Sequence, residues 1–365
     1  MTNRLIKCRI KYVGKRRDGG SRYWCTEHKA DATAKYGRRA RFCRYAHFPQ
    51  LTPSEILKLD VQRYPGGVAL WGAVPPVYDT ASLPIERGVH VHARAAIDSD
   101  LKDTDETYRS VSLFRGKDSH VADISELDAI YYMVSTVFGF KMKYVECSLC
   151  GFPHLDKDWF SLHIHRRHLC AGCGNQFRDD EKGIGNPSMK IREAFPARHK
   201  IRRAEKTINF KQEEYAGGIQ IWGSNPALLW TSQKNEEAGI HIHAFGENGS
   251  EPKLDDTYSS VVIDGIRLNA IMVRTFMAQS ALPHIEGRVF SLKCPQCRLS
   301  HFDKGEDAFT PHVVHVCHGC GSEFKSNRRV RKTVANPIIE VFERLSQKAI
   351  RSPRHHPSNL LPETL

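Results

Sequence analysis

Residues 147–173 read "CSLCGFPHLDKDWFSLHIHRRHLCAGC", and 294–320 read "CPQCRLSHFDKGEDAFTPHVVHVCHGC". Two Cys-x2-Cys pairs, a His-x-Asp and a His-x2-His occupy identical offsets in both. Each Cys-x2-Cys forms a tight knuckle that turns two sulfurs toward one ion, and two knuckles close a tetrahedron. Cys147, Cys150, Cys170 and Cys173 are therefore expected to hold one zinc ion, and Cys294, Cys297, Cys317 and Cys320 a second. A four-thiolate site leaves no open position, so both ions are expected to be structural. The paired spacing reads as metal ligation rather than as disulfides. The N-terminal "MTNRLIKCRIKYVGKRRDGG" lacks the apolar core of a signal peptide, and no apolar run reaches the roughly 18 residues of a membrane span. A cytoplasmic location is expected, without a membrane partner.

The self-similarity extends well beyond the cysteines. "GGVALWGAVP" at 66–75 matches "GGIQIWGSNP" at 217–226, and "ERGVHVHA" at 86–93 matches "EAGIHIHA" at 237–244. "DETYRSV" at 105–111 matches "DDTYSSV" at 255–261, and "NPSMKIREAF" at 186–195 matches "NPIIEVFERL" at 336–345. One period over this length means two copies of a whole domain. The expected fold class is α+β, internally duplicated. Each copy is a small β-sheet plus helix with an inserted four-cysteine zinc ribbon, and a small basic zinc module precedes them. The expected divisions are the N-terminal module at 1–50, a first repeat at 51–205 (ribbon 147–177), a second at 206–350 (ribbon 294–324), and a tail at 351–365. Alternating apolar residues mark strands at the Gly-Gly and "GVHVHA" segments, and "DETYRSVSLF" reads as a third strand. "SELDAIYYMVSTVFGF" (125–140) reads as a helix with Leu127, Ile130, Tyr131, Val134 and Val137/Phe138 on its apolar face, begun by a capping box at Ser125 and Asp128.

Within "GVHVHA", a strand places His90 and His92 on one face and Val89 and Val91 on the other, with the imidazoles about 7 Å apart along the chain. His241 and His243 repeat the arrangement between Ile240 and Ile242. Asp105 or Asp255 from a neighbouring strand, with Tyr108 or Tyr258 nearby, would complete a two-histidine, one-carboxylate metal site of catalytic type. His90, His92, Asp105, His241, His243 and Asp255 are the candidate catalytic residues; paired histidines on an exposed sheet face are the plain alternative. For His154, Asp156, His165 and His168, and for His301, Asp303, His312 and His315, two readings stand. One is a polar network bracing the ribbon and its zinc ligands, and the other is a second metal.

The net charge of +13 is unevenly placed: residues 1–50 carry +11 and residues 325–365 carry +6, leaving −4 for the stretch between. Within the basic N-terminal segment, Cys8, Cys25, His28 and Cys43 have the ligand types for a third zinc, and so small a module needs a staple to fold. Around them Arg16, Arg17, Lys35, Arg38, Arg39 and Arg41 alternate with aromatics such as Trp24 and Tyr36. Guanidinium groups bind phosphates bidentately and aromatic rings stack on unpaired bases. The leading expectation is a nucleic-acid-binding zinc protein, for DNA or RNA. A metal-dependent hydrolase or nuclease built on the His-x-His and Asp sites is the second, and a zinc-ribbon adaptor for partner proteins in a larger complex is the third.

Overall fold

The structure is a computed structural model. It describes residues 10–15, 21–25, 30–31, 50–51, 56–81, 83, 85–97, 100–196, 201–232, 234–247, 252–281, 289–290, 292–326, 334–335 and 338–351. The chain divides into two units, residues 1–52 with 83–86, and residues 53–82 with 87–365. In the first unit, Ile10–Lys15, Ser21–Cys25 and Ala30–Asp31 form an antiparallel sheet, and Gln50–Leu51 pairs with Ile85–Glu86. Cys8, His28, Cys43, Arg16, Arg17, Lys35, Tyr36, Arg38, Arg39 and Arg41 lie outside the described residues. Of Cys25 and Trp24 only the backbone, on the second strand, is described. The expected N-terminal zinc ligands and nucleic-acid contacts thus fall outside what can be placed.

In the second unit the first half of the chain contributes β1 (Leu57–Asp60), β2 (Gly67–Ala73), β3 (Tyr78–Asp79), β4 (Gly88–Arg94), β5 (Thr104–Tyr108), β6 (Ser110–Phe114) and β7 (His120–Ser125). Helix α1 (Glu126–Phe138) follows, then the ribbon strands β8 (Met142–Lys143), β9 (His165–Leu169) and β10 (Gln176–Gly185), and a short α2 (Met189–Ala194). The second half contributes β11 (Thr207–Phe210), β12 (Gly218–Gly223), β13 (Leu229–Trp230), β14 (Ile240–Phe245), β15 (Pro252–Tyr258), β16 (Ser260–Ile263), β17 (Ile266–Asn269) and α3 (Ala270–Ala281). Its ribbon carries β18 (Val314–Val316) and β19 (Glu323–Lys325), and α4 (Ile338–Arg351) ends the described chain.

Helices and sheets are both present, as expected of an α+β chain, and no helix among the described residues is long and apolar enough to cross a membrane. The strand orders correspond position for position: β5-β4-β2-β13 in one sheet and β15-β14-β12-β3 in another. Smaller sheets, β7-β6-β1 and β11-β16-β17, accompany them. The outer strands of the two larger sheets are exchanged. β3, from the first half, pairs with β12, while β13, from the second half, pairs with β2. Each exchange is fastened by a threonine: Val68 N–H donates to Thr231 Oγ1 at 2.8 Å, and Ile219 N–H donates to Thr80 Oγ1 at 2.9 Å. Glycine is required where the exchanged chains arrive. Gly67 and Gly218 have φ of +109° and +95°. A β-carbon on them would stand 2.6 Å from Ser232 Cα and 2.3 Å from Ala81 Cα.

The strand alternation sets the core. Val89, Val91, Ile240 and Ile242 are fully buried, while the histidines between them lie on the opposite, half-open face. Val68, Leu70, Val111, Leu113 and Ile124 pack with Val89 and Val91, and Leu228 and Leu229 from the second half join them. Ile219, Ile221, Val261 and Ile263 form the corresponding cluster, joined by Tyr78 from the first half. A third cluster packs α1 against α3 through Ile130, Met133, Val134, Met277 and Ala278. Ser125 caps α1 reciprocally with Asp128, and left-handed Gly139 ends it.

Two expectations about elements need correction. Leu127 is 37% exposed, and the buried stretch of α1 is Asp128–Ser135, because the helix is covered by the sheet on one side and α3 on the other. "DETYRSVSLF" is two strands, not one: β5 pairs with β4, and β6 pairs with β1 and β7 in a different sheet. A single strand would put Asp105 and Thr107 on the face of Val111 and Leu113, which are fully buried; turning at Arg109 separates them.

Candidate metal centres

In each ribbon the knuckles are closed by backbone hydrogen bonds. Cys147 N–H donates to the Phe152 carbonyl (3.0 Å), and Gly151 N–H to the Cys147 carbonyl (2.8 Å). Cys170 N–H donates to Asn175 (2.9 Å) and Gly174 N–H to Cys170 (3.0 Å). Gly151 and Gly174 have positive φ, as do Arg298 and Gly321 in the second ribbon. The Sγ atoms of Cys147 and Cys173 are 3.8 Å apart, and those of Cys150 and Cys170 3.6 Å. The second ribbon gives 3.8 Å for Cys294–Cys320 and 3.5 Å for Cys297–Cys317. Four sulfurs about 2.3 Å from a tetrahedral zinc ion lie about 3.8 Å from one another, whereas a disulfide requires about 2.05 Å. Both clusters therefore fit zinc. Thiols this close cannot all ionise unaided. The Phe152 amide favours the Cys150 thiolate, but desolvation and the sulfurs of Cys170, Cys173 and Cys147 outweigh it and the thiol is pushed up to about 12. A dication at the centre removes that conflict.

The pairing of β4 with β5 sets His92 opposite Asp105 and His90 opposite Thr107; β14 and β15 set His243 opposite Asp255 and His241 opposite Thr257. His90 Nε2 and His92 Nε2 are 2.9 Å apart, and Asp105 Oδ1 lies 3.5 and 3.1 Å from them. In the second half the separations are 2.9, 3.5 and 3.3 Å. The other nitrogen of the first histidine meets a threonine: His90 Nδ1 is 3.1 Å from Thr107 Oγ1, and His241 Nδ1 is 3.2 Å from Thr257 Oγ1. Trp71 packs edge-on to His92 and Trp222 to His243, both with centroids 5.0 Å apart. Burial first, then the neighbouring histidine, brings His90 and His241 down to about 4, so both rings are neutral at neutral pH. A neutral imidazole can offer a ring-nitrogen lone pair to a metal ion. These two trios are open, with the side chains of Asp105 and Asp255 59% and 54% exposed.

The structure thus brings together the six candidate catalytic residues as two trios and the eight ribbon cysteines as two quartets. Tyr108 and Tyr258 do not belong to the trios. They face Val89 and Ile240 in register, and Thr107 and Thr257 occupy the place expected for them. The signal is present in the alternation: Thr107 is two residues from Asp105, on the same face, and Tyr108 is not.

A third kind of cluster lies inside each ribbon. His154, Asp156 and His168 are buried with His165 at their edge, and His301, Asp303 and His315 are buried beside His312. Burial alone would raise the pKa of Asp156. His154, His168 and the Gly185 N–H outweigh it and hold the carboxyl far below the usual range.

The fold and these sites define an α+β chain with two four-thiolate clusters suited to zinc and further histidine–carboxylate clusters that fit metal ions. No protein-family model, no curated protein and no solved structure matches this chain.

Proposed function

We propose that the protein is a metal-dependent hydrolase acting on nucleic acid, an internally duplicated domain whose two halves each carry a zinc ribbon and an open two-histidine, one-aspartate centre. The observation that carries this reading is the pair of matched trios, His90/His92/Asp105 and His241/His243/Asp255, whose ligand atoms converge within 4.8 Å while one side stays open. A closed four-ligand site braces a fold; three protein ligands with a free position leave room for substrate. A divalent metal bound there supplies Lewis-acid polarisation of a phosphoryl oxygen and lowers the pKa of a coordinated water. Thr107 and Thr257 orient the ring of the first histidine, and Trp71 and Trp222 wall the second. The centres share one electrostatic neighbourhood: His243 and Asp255 bias the protonation of His90, and His92 biases that of His241. Such closeness gives a duplicated chain a reason to retain both.

The nucleic-acid part of the reading rests on charge. A segment of 50 residues carrying +11, in a chain whose middle stretch sums to −4, is suited to a phosphate polymer, whose counterions it displaces. The test is cleavage of single- and double-stranded DNA and RNA by the full chain, treated with a mild chelator that leaves the thiolate-bound zinc in place and then supplied with manganese, zinc or magnesium. Metal-dependent cleavage that disappears in the His92→Ala/His243→Ala double variant, with its far-UV spectrum and thiolate-bound zinc intact, is the expected result. Wild-type protein that cleaves none of the four substrates with any of these metals would overturn the reading.

A further inference from the structure

The buried histidine–aspartate clusters within the ribbons admit two explanations, a hydrogen-bonded brace or a second metal. Their geometry decides between them. In the first ribbon, His154 Nε2, His165 Nε2 and His168 Nδ1 lie 2.8, 3.1 and 3.3 Å from one atom, Asp156 Oδ1. Asp156 Oδ2 meanwhile accepts from the Gly185 N–H at 2.7 Å. A β-carbon on Gly185 would come within 3.0 Å of the His154 ring, so the strand approaches as closely as glycine allows. In the second ribbon, His312 Nε2 lies 3.2 Å from Asp303 Oδ2 and 3.0 Å from His315 Nδ1, and His301 Nε2 and His315 Nδ1 converge on Asp303 Oδ1.

Hydrogen bonds alone do not account for this arrangement. His165 Nδ1 lies 2.7 Å from the His163 carbonyl, and His312 Nδ1 lies 2.9 Å from the Thr310 carbonyl. A carbonyl only accepts, so each Nδ1 carries the proton and, in the neutral ring, Nε2 presents a lone pair. That lone pair is aimed at a carboxylate oxygen and, in the second ribbon, at another imidazole nitrogen. Either a second ring proton or a metal ion must lie between them, and one shared ion also accounts for three imidazoles converging on a single carboxylate. The inward nitrogens crowd one carboxylate, while His154 Nδ1, His168 Nε2, His301 Nδ1 and His315 Nε2, all buried, have no hydrogen-bond partner among the described residues. Ligands about 2.05 Å from a tetrahedral ion lie about 3.3 Å apart, close to the separations here, and a ligating histidine commonly donates its other N–H to a backbone carbonyl.

We propose that His154, Asp156, His165 and His168 bind one divalent metal ion of the zinc class, and that His301, Asp303, His312 and His315 bind another. Each ribbon is then a two-metal module, one ion held by four thiolates and the next by three imidazoles and a carboxylate. The site is buried and four protein ligands fill it, so its ion braces the ribbon and takes no substrate. This inference is independent of the open trios, which share no residue with it.

The test uses the full chain. His165→Gln/His312→Gln keeps a side chain able to hydrogen-bond the aspartates but removes one imidazole from each site. Relative to wild type it should lose two metal equivalents per chain by elemental analysis. After cobalt loading, its thiolate-to-cobalt charge-transfer absorption should be unchanged, since the four-cysteine sites remain. Full retention of metal would overturn the proposal. A readout that requires no variant to fold is anomalous scattering from wild-type crystals at the zinc edge. A peak equidistant from the four ligand atoms in each ribbon is expected, and none at either place would overturn it equally.

Discussion

Arg298 holds a left-handed backbone, φ +63°, at the knuckle position where the first ribbon has Gly151 at +70°. The turn brings the two sulfurs of the knuckle to one side, as a shared ion would require, and only one of the two ribbons uses the residue suited to it. Relief of the left-handed strain exceeds glycine's entropic cost by a small margin, so Arg298→Gly should stabilise the chain by up to about 1 kcal/mol, measured by chemical denaturation of the zinc-loaded protein. A loss of stability would mean that the Arg298 side chain contributes more than its backbone costs. A second residue-scale expectation concerns the threonines. Thr107→Val and Thr257→Val keep shape and remove the hydroxyl beside His90 and His241; metal affinity at the trios should fall roughly 10–100-fold with the melting temperature nearly unchanged. Chelator competition would read this, and unchanged affinity would show that the rings are oriented by packing alone. The trios themselves are legible in the sequence, because two histidines and an acid recur at fixed spacing. Their threonines are less conspicuous there than the adjacent tyrosines, which point the other way.

At the level of elements, long periodic segments are readable from the sequence and short ones are not. The capped helix α1 carries 13 residues of pattern and the strands β2 and β4 carry seven each. β3 and β13 are two residues long, too short for any period, and what makes them strands is a partner about 140–160 positions away. The turn at Arg109 is hidden for a different reason: no glycine or proline marks it, and only the clash of Asp105 with a buried face betrays it. The exchanged strands depend on the glycines beneath them. Gly67→Ala and Gly218→Ala should each cost at least 1–3 kcal/mol, since a positive φ and a backbone contact are both violated. Thermal melts within a degree of wild type would refute the close approach.

For the whole molecule, charge is segregated along the chain: strongly basic ends flank a mildly acidic middle. Deleting residues 1–52 should weaken binding to nucleic acid and flatten its salt dependence, each lost phosphate contact lowering the slope of log affinity against log salt by about 0.7–0.9. Equal slopes for the intact and shortened chains would move the binding surface to the remaining residues or remove nucleic acid from the proposal. The shared cluster between α1 and α3, with the exchanged strands, also makes the second unit one cooperative block, so a single unfolding transition is expected by calorimetry. Two separated transitions would show that each half stands alone.

The exchange has a consequence for how the chain is made. β2 leaves the ribosome with its outer edge bare, and the strand that covers it, Leu229–Trp230, comes more than 150 residues later. At about 5–20 residues per second, the nascent first half waits roughly 8–30 s with an unpaired sheet edge. During that interval another nascent chain can supply the missing strand. Polysome crowding, rather than the stability of the finished protein, should then govern how much of it is recovered.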